Sequence, residues 1–500
     1  MVKEDLKVTK IIDFTHLLKE KDHYVVFNPC VTHYKDNLYL CCARVITKNI
    51  ILYRDYPDEF PEIDNNVYSN PNHPWRFNWN PNNKEIPKKY LEYTKFAMLK
   101  ISQISGEYTI ELVKLYNELF NDFINNGLGK NNIFSNYDLL NDNNSEANLK
   151  LINYYTRLQD TRIHKTPLPN IFFITGNSYG TDNEQSNRIN QHQYSPLSTT
   201  NCTKNCTFIS ISSIEVDPIS LKIKFLSGTP TILCRNLSST TEKNWSIVFK
   251  DRPTQNDLTF YITYQITESS KGHELMTSVY NIISHTFTTH CNITDLSILH
   301  NYNHPEKIIK LSFYNMIEEA FKDKGRKILH ISTTTPTISY NDKEFISVGH
   351  VKFLYDDKSV TSDHTPALYT FIKDLSERII NFHRSYVYLF FFYTFSSSDG
   401  RLLRTSHFIL PQPADVSLIF PMGLTYTQNN DFCLSYGNYD TTCETMFLSK
   451  ENVENSLIDI TKFPFLNSNN NQIQTQEQIR EYDFFRYSHW TKSINKIILK

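Results

Sequence analysis

Apolar and polar positions along this chain alternate in short runs, and the runs come in pairs around tight polar turns. In residues 27–46 two β-prone runs flank Lys35-Asp36-Asn37, the pattern of a hairpin, and a third strand is expected over 93–101. Residues 110–124 differ: Leu112, Leu115, Tyr116, Leu119 and Phe123 recur at helical spacing and Gly127 can end the run, which predicts a helix packed on the outside of something larger. Its polar face lacks the basic residues of a membrane-surface helix. Residues 171–175 are again strongly β-prone, preceded by Asp160 and Arg162 and by a turn holding Pro167 and Pro169. Strands are expected at 207–216 and 219–226.

The layout then recurs. Residues 242–266 have a polar head, a strand, a polar turn and an aromatic-rich strand; 331–355 repeat this around Asn341-Asp342; 419–436 repeat it before Gly437-Asn438-Tyr439-Asp440 and a last strand at 444–448. Between the copies lie outer strands at 386–395 and 402–410, with helices expected at 308–321 and 367–382, the latter capped by Thr365-Pro366. Five polar heads, each followed by a hairpin and spaced roughly 70 to 130 residues apart, predict radial repetition: an all-β, five-bladed β-propeller. It spans residues 23–460, between a lead-in at 1–22 and a tail at 461–500, with insertions near 56–90, 105–150, 180–205, 301–330 and 360–384. The innermost strand of each blade lines the channel, so Asn28, Asp160, Lys243, Asn244, Thr335, His350 and Asp440 are expected to converge.

Composition narrows the class. With 500 residues, 40% hydrophobic and 14% aromatic, a large core is available, and 31 Tyr and 33 Phe against 12 Gly suit a β-rich chain whose turns are made by Asn and Asp. A formal charge of -2 provides no global basic field for nucleic acid. The longest apolar run, 386–395, is about half a membrane span, and residues 1–21 are charged throughout, so no membrane span or secretory leader is expected and the location is read as intracellular, cytoplasmic. Nine cysteines without Cys-x-x-Cys pairs argue against a disulfide framework. Cys202 and Cys206 lack a second ligand pair, so no metal site is expected. The triplets at Asn201, Asn236 and Asn292 are chance matches in an asparagine-rich chain. Enrichment in Asn, Ile, Lys and Tyr suits AT-rich coding, as in large DNA viruses and some protists, and makes a virus-encoded source an expectation.

The candidate chemistry centres on Asp160. A carboxylate two residues from a guanidinium is held ionised or protonated according to how the pair is buried, a common build for carbohydrate-cleaving sites; the plain alternative is a surface ion pair at a turn. Lys243, ahead of a buried strand, is costly without an anion. His350 follows Gly349 inside a β run, where a core histidine bonded to backbone is the ordinary explanation. Trp245 and Tyr436 can stack on sugar rings, although inner-strand aromatics more often pack, and Asp440 is either a general base or a turn-closing cap.

The succession Phe27-Asn28-Pro29 with Arg44, Gln159-Asp160-Thr161-Arg162-Ile163, Glu242-Lys243-Asn244-Trp245-Ser246, Thr335-Pro336 with Val348-Gly349-His350-Val351, and Phe420-Pro421-x-Gly423-Leu424 with Ser435-Tyr436-Gly437-x-x-Asp440 resembles the five-bladed propellers of the β-mannoside phosphorylases and related β-1,2-mannosyltransferases. The resemblance covers about residues 27–457, in the same order. It implies that Asp160 donates a proton to the glycosidic oxygen and that Lys243 and His350 stand beside the sugar where phosphate or an activated donor is held. Asn28, Arg44, Arg162, Asn244, Trp245, Tyr436 and Asp440 complete the expected substrate-binding set. The implied activity is a glycosyltransferase or glycoside phosphorylase forming or cleaving a β-mannoside-type bond by inverting single displacement. Carbohydrate is the partner, and no cofactor is expected beyond phosphate or a sugar nucleotide as co-substrate. Departures are Gln159 for Glu, Thr161 for Pro, and Thr333-Thr334 for glycines, which alter the proton affinity at Asp160 and narrow backbone access. The alternative class is a catalytically silent glycan-binding or structural propeller, for instance a virion component.

Overall fold

The computed structural model describes residues 8–20, 23–48, 90–116, 159–180, 206–226, 231–233, 246–249, 252–263, 275–290, 328–353, 387–398, 402–406, 419–438 and 442–459. They are nearly all β and form five small antiparallel sheets arranged as a five-bladed β-propeller. The chain enters through strand β1 (Val8–Asp13) and helix α1 (Thr15–Leu18). Blade 1 is a meander of β2 (His23–Lys35), β3 (Leu38–Lys48), β4 (Tyr90–Ile104) and β5 (Glu107–Leu115). Blade 2 runs β6 (Gln159–Lys165), β7 (Ile171–Gly180) and β8 (Cys206–Val216), with β9 (Ile223–Phe225) and β10 (Thr231–Leu233) both paired to β8. Blade 3 is β11 (Ser246–Val248), β12 (Asp257–Thr263), β13 (Leu275–Asn281) and β14 (Thr286–His290).

In blade 4 the inner edge is broken: β15 (Ile328–Thr333) and β16 (Ile338–Asn341) pair with opposite halves of β17 (Glu344–Phe353), followed by β18 (Val387–Ser396) and β19 (Leu402–Thr405). Blade 5 is β20 (Ile419–Tyr426), β21 (Phe432–Asn438) and β22 (Thr442–Leu448), and β1 supplies its outer strand, so the two ends of the described chain close one sheet. Helix α2 (Lys450–Ser456) starts at Ser449, whose hydroxyl accepts from Asn452 N, and leads to β23 (Ile458–Asp459) on β19.

Alternation within each strand sends apolar side chains to both faces, and the core lies in the seams between blades. Leu40, Cys42 and Met98 of blade 1 meet Ile163, Phe172 and Ile214 of blade 2. Ile346, Val348 and Phe392 of blade 4 meet Leu424, Phe432 and Met446 of blade 5. Each seam also carries a hydrogen bond. Thr32 Oγ1 donates to Ile163 O at 2.9 Å between blades 1 and 2, and Tyr280 Oη to Ser213 Oγ at 3.2 Å between 2 and 3. Ser246 Oγ meets Thr337 Oγ1 at 3.0 Å between blades 3 and 4. Tyr426 Oη donates to Ser339 O at 3.1 Å between 4 and 5, and Val31 N to Ser435 Oγ at 3.0 Å between 1 and 5. The ring is therefore closed, as the repetition of polar heads predicts.

One expected element is corrected. Residues 110–115 are not helical but belong to the outer strand β5. Ser105 and Gly106 both take positive φ, 52° and 86°, which makes a tight two-residue hairpin turn from β4 that carries the following residues into antiparallel pairing. Tyr108 then stacks on Phe447 of blade 5 at 4.0 Å, a contact a helix starting at 110 does not need. The strand expected at 219–226 shrinks to Ile223–Phe225, because Asp217 Oδ1 accepts from Ser220 N at 2.6 Å and Ile219 N at 3.1 Å and holds a turn there. The helices expected at 308–321 and 367–382, and the tail at 461–500, lie outside the described residues.

Candidate functional site

Four of the five inner strands carry a local distortion, the described part of β11 in blade 3 being regular. β2 gains a residue between Phe27 and Cys30, which pair with Arg44 and Cys42; β6 gains one between Gln159 and Arg162, which pair with Asn177 and Thr175; β20 does so between Pro421 and Gly423. In blade 4 the same effect appears as two amides on one carbonyl, Thr334 N and Thr335 N to Val348 O at 3.0 and 3.4 Å. These bulges turn the strand heads toward the axis. Asn28 and Asp160 sit on two of them with φ of 51° each, and Asn and Asp are the side chains that most readily accept this left-handed region.

Asp160 faces partners from the neighbouring blade. Its Oδ1 accepts from Asn28 Nδ2 at 3.1 Å and lies 3.4 Å from Arg44 Nη1. The Asp160 and Arg44 side chains keep 10% and 12% of their surface exposed, so both charges are largely dehydrated. Arg44 stands over the ring of its strand partner Phe27, 5.0 Å from the centroid. Both neighbours favour the ionised carboxylate. Thr161, where the resemblance calls for proline, is fixed by hydrogen bonds instead: its hydroxyl meets Thr94 Oγ1 at 2.7 Å and its carbonyl accepts from Cys42 Sγ at 3.4 Å.

Arg162 donates to backbone carbonyls of two blades. Its Nη1 donates to the Asp160 carbonyl at 2.9 Å, its Nε donates to Thr334 O, and its guanidinium stands 5.9 Å from the Phe420 ring. Blade 2 and blade 4 are not neighbours, so this side chain crosses the axis and closes it. Arg162, expected among the substrate ligands, is 1% exposed and joins two blades that are not neighbours. Burial pulls the guanidinium below its ordinary value and the Asp160 carboxylate opposes that, so the cation is retained.

His350 is buried as well, with Nδ1 3.3 Å from Thr334 Oγ1 and its ring edge-on to Phe420 at 5.3 Å. Thr335 is spent inside blade 4, its hydroxyl meeting Ser347 Oγ at 3.2 Å and accepting from Val348 N at 3.0 Å. Tyr436 is wholly buried in the seam between blades 4 and 5. Lys243, Asn244, Trp245 and Asp440 lie outside the described residues. Among the described residues the structure thus links Asn28, Arg44, Asp160 and Arg162 to one another, and His350 to Arg162 through Thr334.

Two groups were not singled out from the sequence. His164, one turn of alternation below Arg162, bonds Thr175 Oγ1 at 2.9 Å, and burial followed by the Arg162 charge pushes its pKa down to about 3. Glu444 is buried at the head of blade 5, accepting from Thr442 Oγ1 at 2.9 Å and Asn438 Nδ2 at 3.1 Å. Burial raises its carboxyl, and hydrogen bonds from Tyr436, Thr442 and Asn438 hold it back. A charge inside the run Thr442-Cys443-Glu444-Thr445-Met446-Phe447-Leu448 was the available signal.

Fold and site together define a five-bladed β-propeller whose axis is closed by an arginine and whose blade heads hold one aspartate between an amide and a second arginine. No family model matches the sequence, and no curated protein matches it. Among solved structures the chain is similar to a mannose phosphorylase from Leishmania mexicana in complex with phosphate ion, at 8% identity over 91% of this chain and 93% of the other, with a TM-score of 0.36. It is similar to a β-1,2-mannobiose phosphorylase from Listeria innocua at 10% identity, covering 87% and 93%, with a TM-score of 0.37. A GDP-Man-dependent mannosyltransferase from Leishmania mexicana aligns at 10% identity over 89% and 91%, with a TM-score of 0.36. Among the described residues no helix is long and apolar enough to cross a membrane.

Proposed function

We propose that this chain is a carbohydrate-active propeller enzyme in which Asp160 protonates the glycosidic oxygen of a β-mannoside-type bond. The observation that carries the reading is the placement of that carboxylate: on a left-handed bulge at the axis, largely dehydrated, and held from blade 1 by Asn28 Nδ2 at 3.1 Å and Arg44 Nη1 at 3.4 Å. The choice of sugar is supported by the ordered motifs that resemble the mannoside phosphorylases and mannosyltransferases.

In the reaction, Asp160 gives its proton to the leaving oxygen while an oxygen of phosphate bonds to the anomeric carbon from the opposite face; the bond to the leaving sugar breaks and the configuration inverts. In the transfer direction the same carboxylate takes the proton of the acceptor hydroxyl. Arg44 holds Asp160 ionised until an anionic co-substrate arrives beside it, compensates its charge, and lets the carboxylate keep a proton. Lys243, Asn244, Trp245 and Asp440 are assigned to the sugar and the anion by their place in the motifs, and His350 supports the anion.

A second reading, the catalytically silent glycan-binding propeller, is favoured by the same two donors on Asp160, since a carboxylate held ionised accepts hydrogen bonds from sugar hydroxyls without donating a proton. The experiment incubates the full chain with β-mannosides and phosphate, and separately with a mannosyl donor and mannose acceptors, and reads the anomers of the product by NMR. Phosphate-dependent release of an inverted sugar phosphate, or transfer with inversion, supports the enzyme. Thermal stabilisation by sugar without product supports the silent propeller, and neither response counts against both.

A further inference from the structure

We infer that Asn28 is a positioning residue for Asp160 and that Gly437 is what holds Asn28 in place, so that the seam between the first and last blades sets the orientation and proton affinity of the carboxylate. Asn28 is 3% exposed and lies on the blade 1 bulge with its amide spanning two interfaces. On one side Nδ2 donates to Asp160 Oδ1 in blade 2. On the other, Oδ1 rests against blade 5: a methyl group placed on Gly437 would lie 1.8 Å from Asn28 Oδ1 and 2.9 Å from Asn28 N. No real side chain tolerates that approach.

Gly437 has no conformational need to be glycine. It sits within β21, paired with Phe420 and Cys443, and its φ is not positive, so a residue with a side chain suits its backbone and stabilises the strand better. What the position requires is room for the Asn28 amide. The amide is thereby wedged between blade 5 and Asp160, and its donor edge has one direction to point.

Among the described residues, charged and titratable groups around the carboxylate include Arg44 on β3 and Arg162 on β6, with the Cys30 and Cys42 thiols behind residues 161–163 and Glu444 of β22 beyond Asn438. Gly437 pairs with Cys443 and adjoins Asn438, so it also lies beside Glu444, and the Asn28→Gly background separates the amide route from that one.

The test titrates full-length protein labelled with carboxyl-13C aspartate, the Asp160 resonance being identified by its loss in Asp160→Asn. Asn28→Gly keeps the left-handed backbone without strain and removes the donor, so the Asp160 midpoint rises by about one pH unit, the size set by one hydrogen bond to an ionised group. Gly437→Ala produces the same rise by displacing the amide and lowers the melting temperature. In the double variant both effects of Gly437→Ala disappear, leaving the midpoint of Asn28→Gly alone. An unmoved midpoint in Asn28→Gly, or additive shifts in the double variant, overturns the inference, and Asn28→Gly decides it even if Gly437→Ala fails to fold. The significance of the device rests on Asp160 being the acid, yet the titration needs no substrate. A shifted midpoint with unaltered turnover therefore counts against the catalytic reading while supporting the positioning one.

Discussion

His164 is a neutral imidazole in a dry place, and its stability consequence has a definite sign. Its pKa in the folded chain is about 3, below the roughly 6.5 of an unfolded histidine. Between those values the unfolded chain takes up a proton that the folded chain refuses, so folding stability falls as pH drops below about 6.5, by up to about 1.4 kcal/mol per pH unit for this group. Urea unfolding near pH 7 and near pH 5 should show the loss, and His164→Gln, which keeps a bond to Thr175 without titrating, should flatten that part of the slope; an identical slope in the variant removes His164 from the pH response. Asp160 and Arg162 were legible from the sequence as a pair, but their relation was not. Two residues of spacing suggested an ion pair; with the extra residue in β6, Arg162 donates to the Asp160 and Thr334 carbonyls while the carboxylate lies 3.4 Å from Arg44 and still acts on the Arg162 charge. Bulges are set by register against the partner strand, which the local sequence does not display.

At the scale of elements, the hairpin signals read well because Asn, Asp and Gly mark turns wherever they fall: Lys35-Asp36-Asn37 and Asn341-Asp342 both lie at the bends expected of them. The failure at 110–124 has a physical cause. Leu112 and Tyr116, four apart, fit both periods; Leu115 fits only the helical one, and the register shift after Leu112 together with the turn at Ser105-Gly106 places the run in a strand. The role of β1 was not legible at all, since a strand that pairs with residues more than 400 positions away leaves no local trace. Its Ile11 packs toward the seam with blade 4 and Ile12 toward the seam with blade 1, so one short strand staples both neighbours to blade 5. Ile11→Asp and Ile12→Asp should each lower the melting temperature, by burying a charge without a partner, while a mutation of exposed Ile219 to Asp should leave it unchanged. Equal melting temperatures for all three variants, measured by calorimetry, would show that β1 does not hold the ring.

At the scale of the whole molecule, the propeller works as a ring whose polar heads meet only because it closes, and Arg162 fixes opposite sides of it by joining blade 2 to Thr334 of blade 4. Arg162→Met keeps the apolar stem but strands two buried carbonyls, which should destabilise the fold by about 1–3 kcal/mol; Arg162→Lys should restore part of that in chemical unfolding, and full stability in the methionine variant would refute the strut. The most direct measurement of the central claim is the rate of Asp160→Asn relative to the unaltered chain, on a β-mannoside with phosphate or a mannosyl donor with an acceptor. The amide keeps the shape and an oxygen that accepts from Arg44 while losing the charge and the acidic proton, so melting temperature and sugar binding should be nearly retained while turnover falls on the order of a hundredfold to ten-thousandfold. An unchanged rate in Asp160→Asn, or no product from the unaltered chain on any of these substrates, would contradict it.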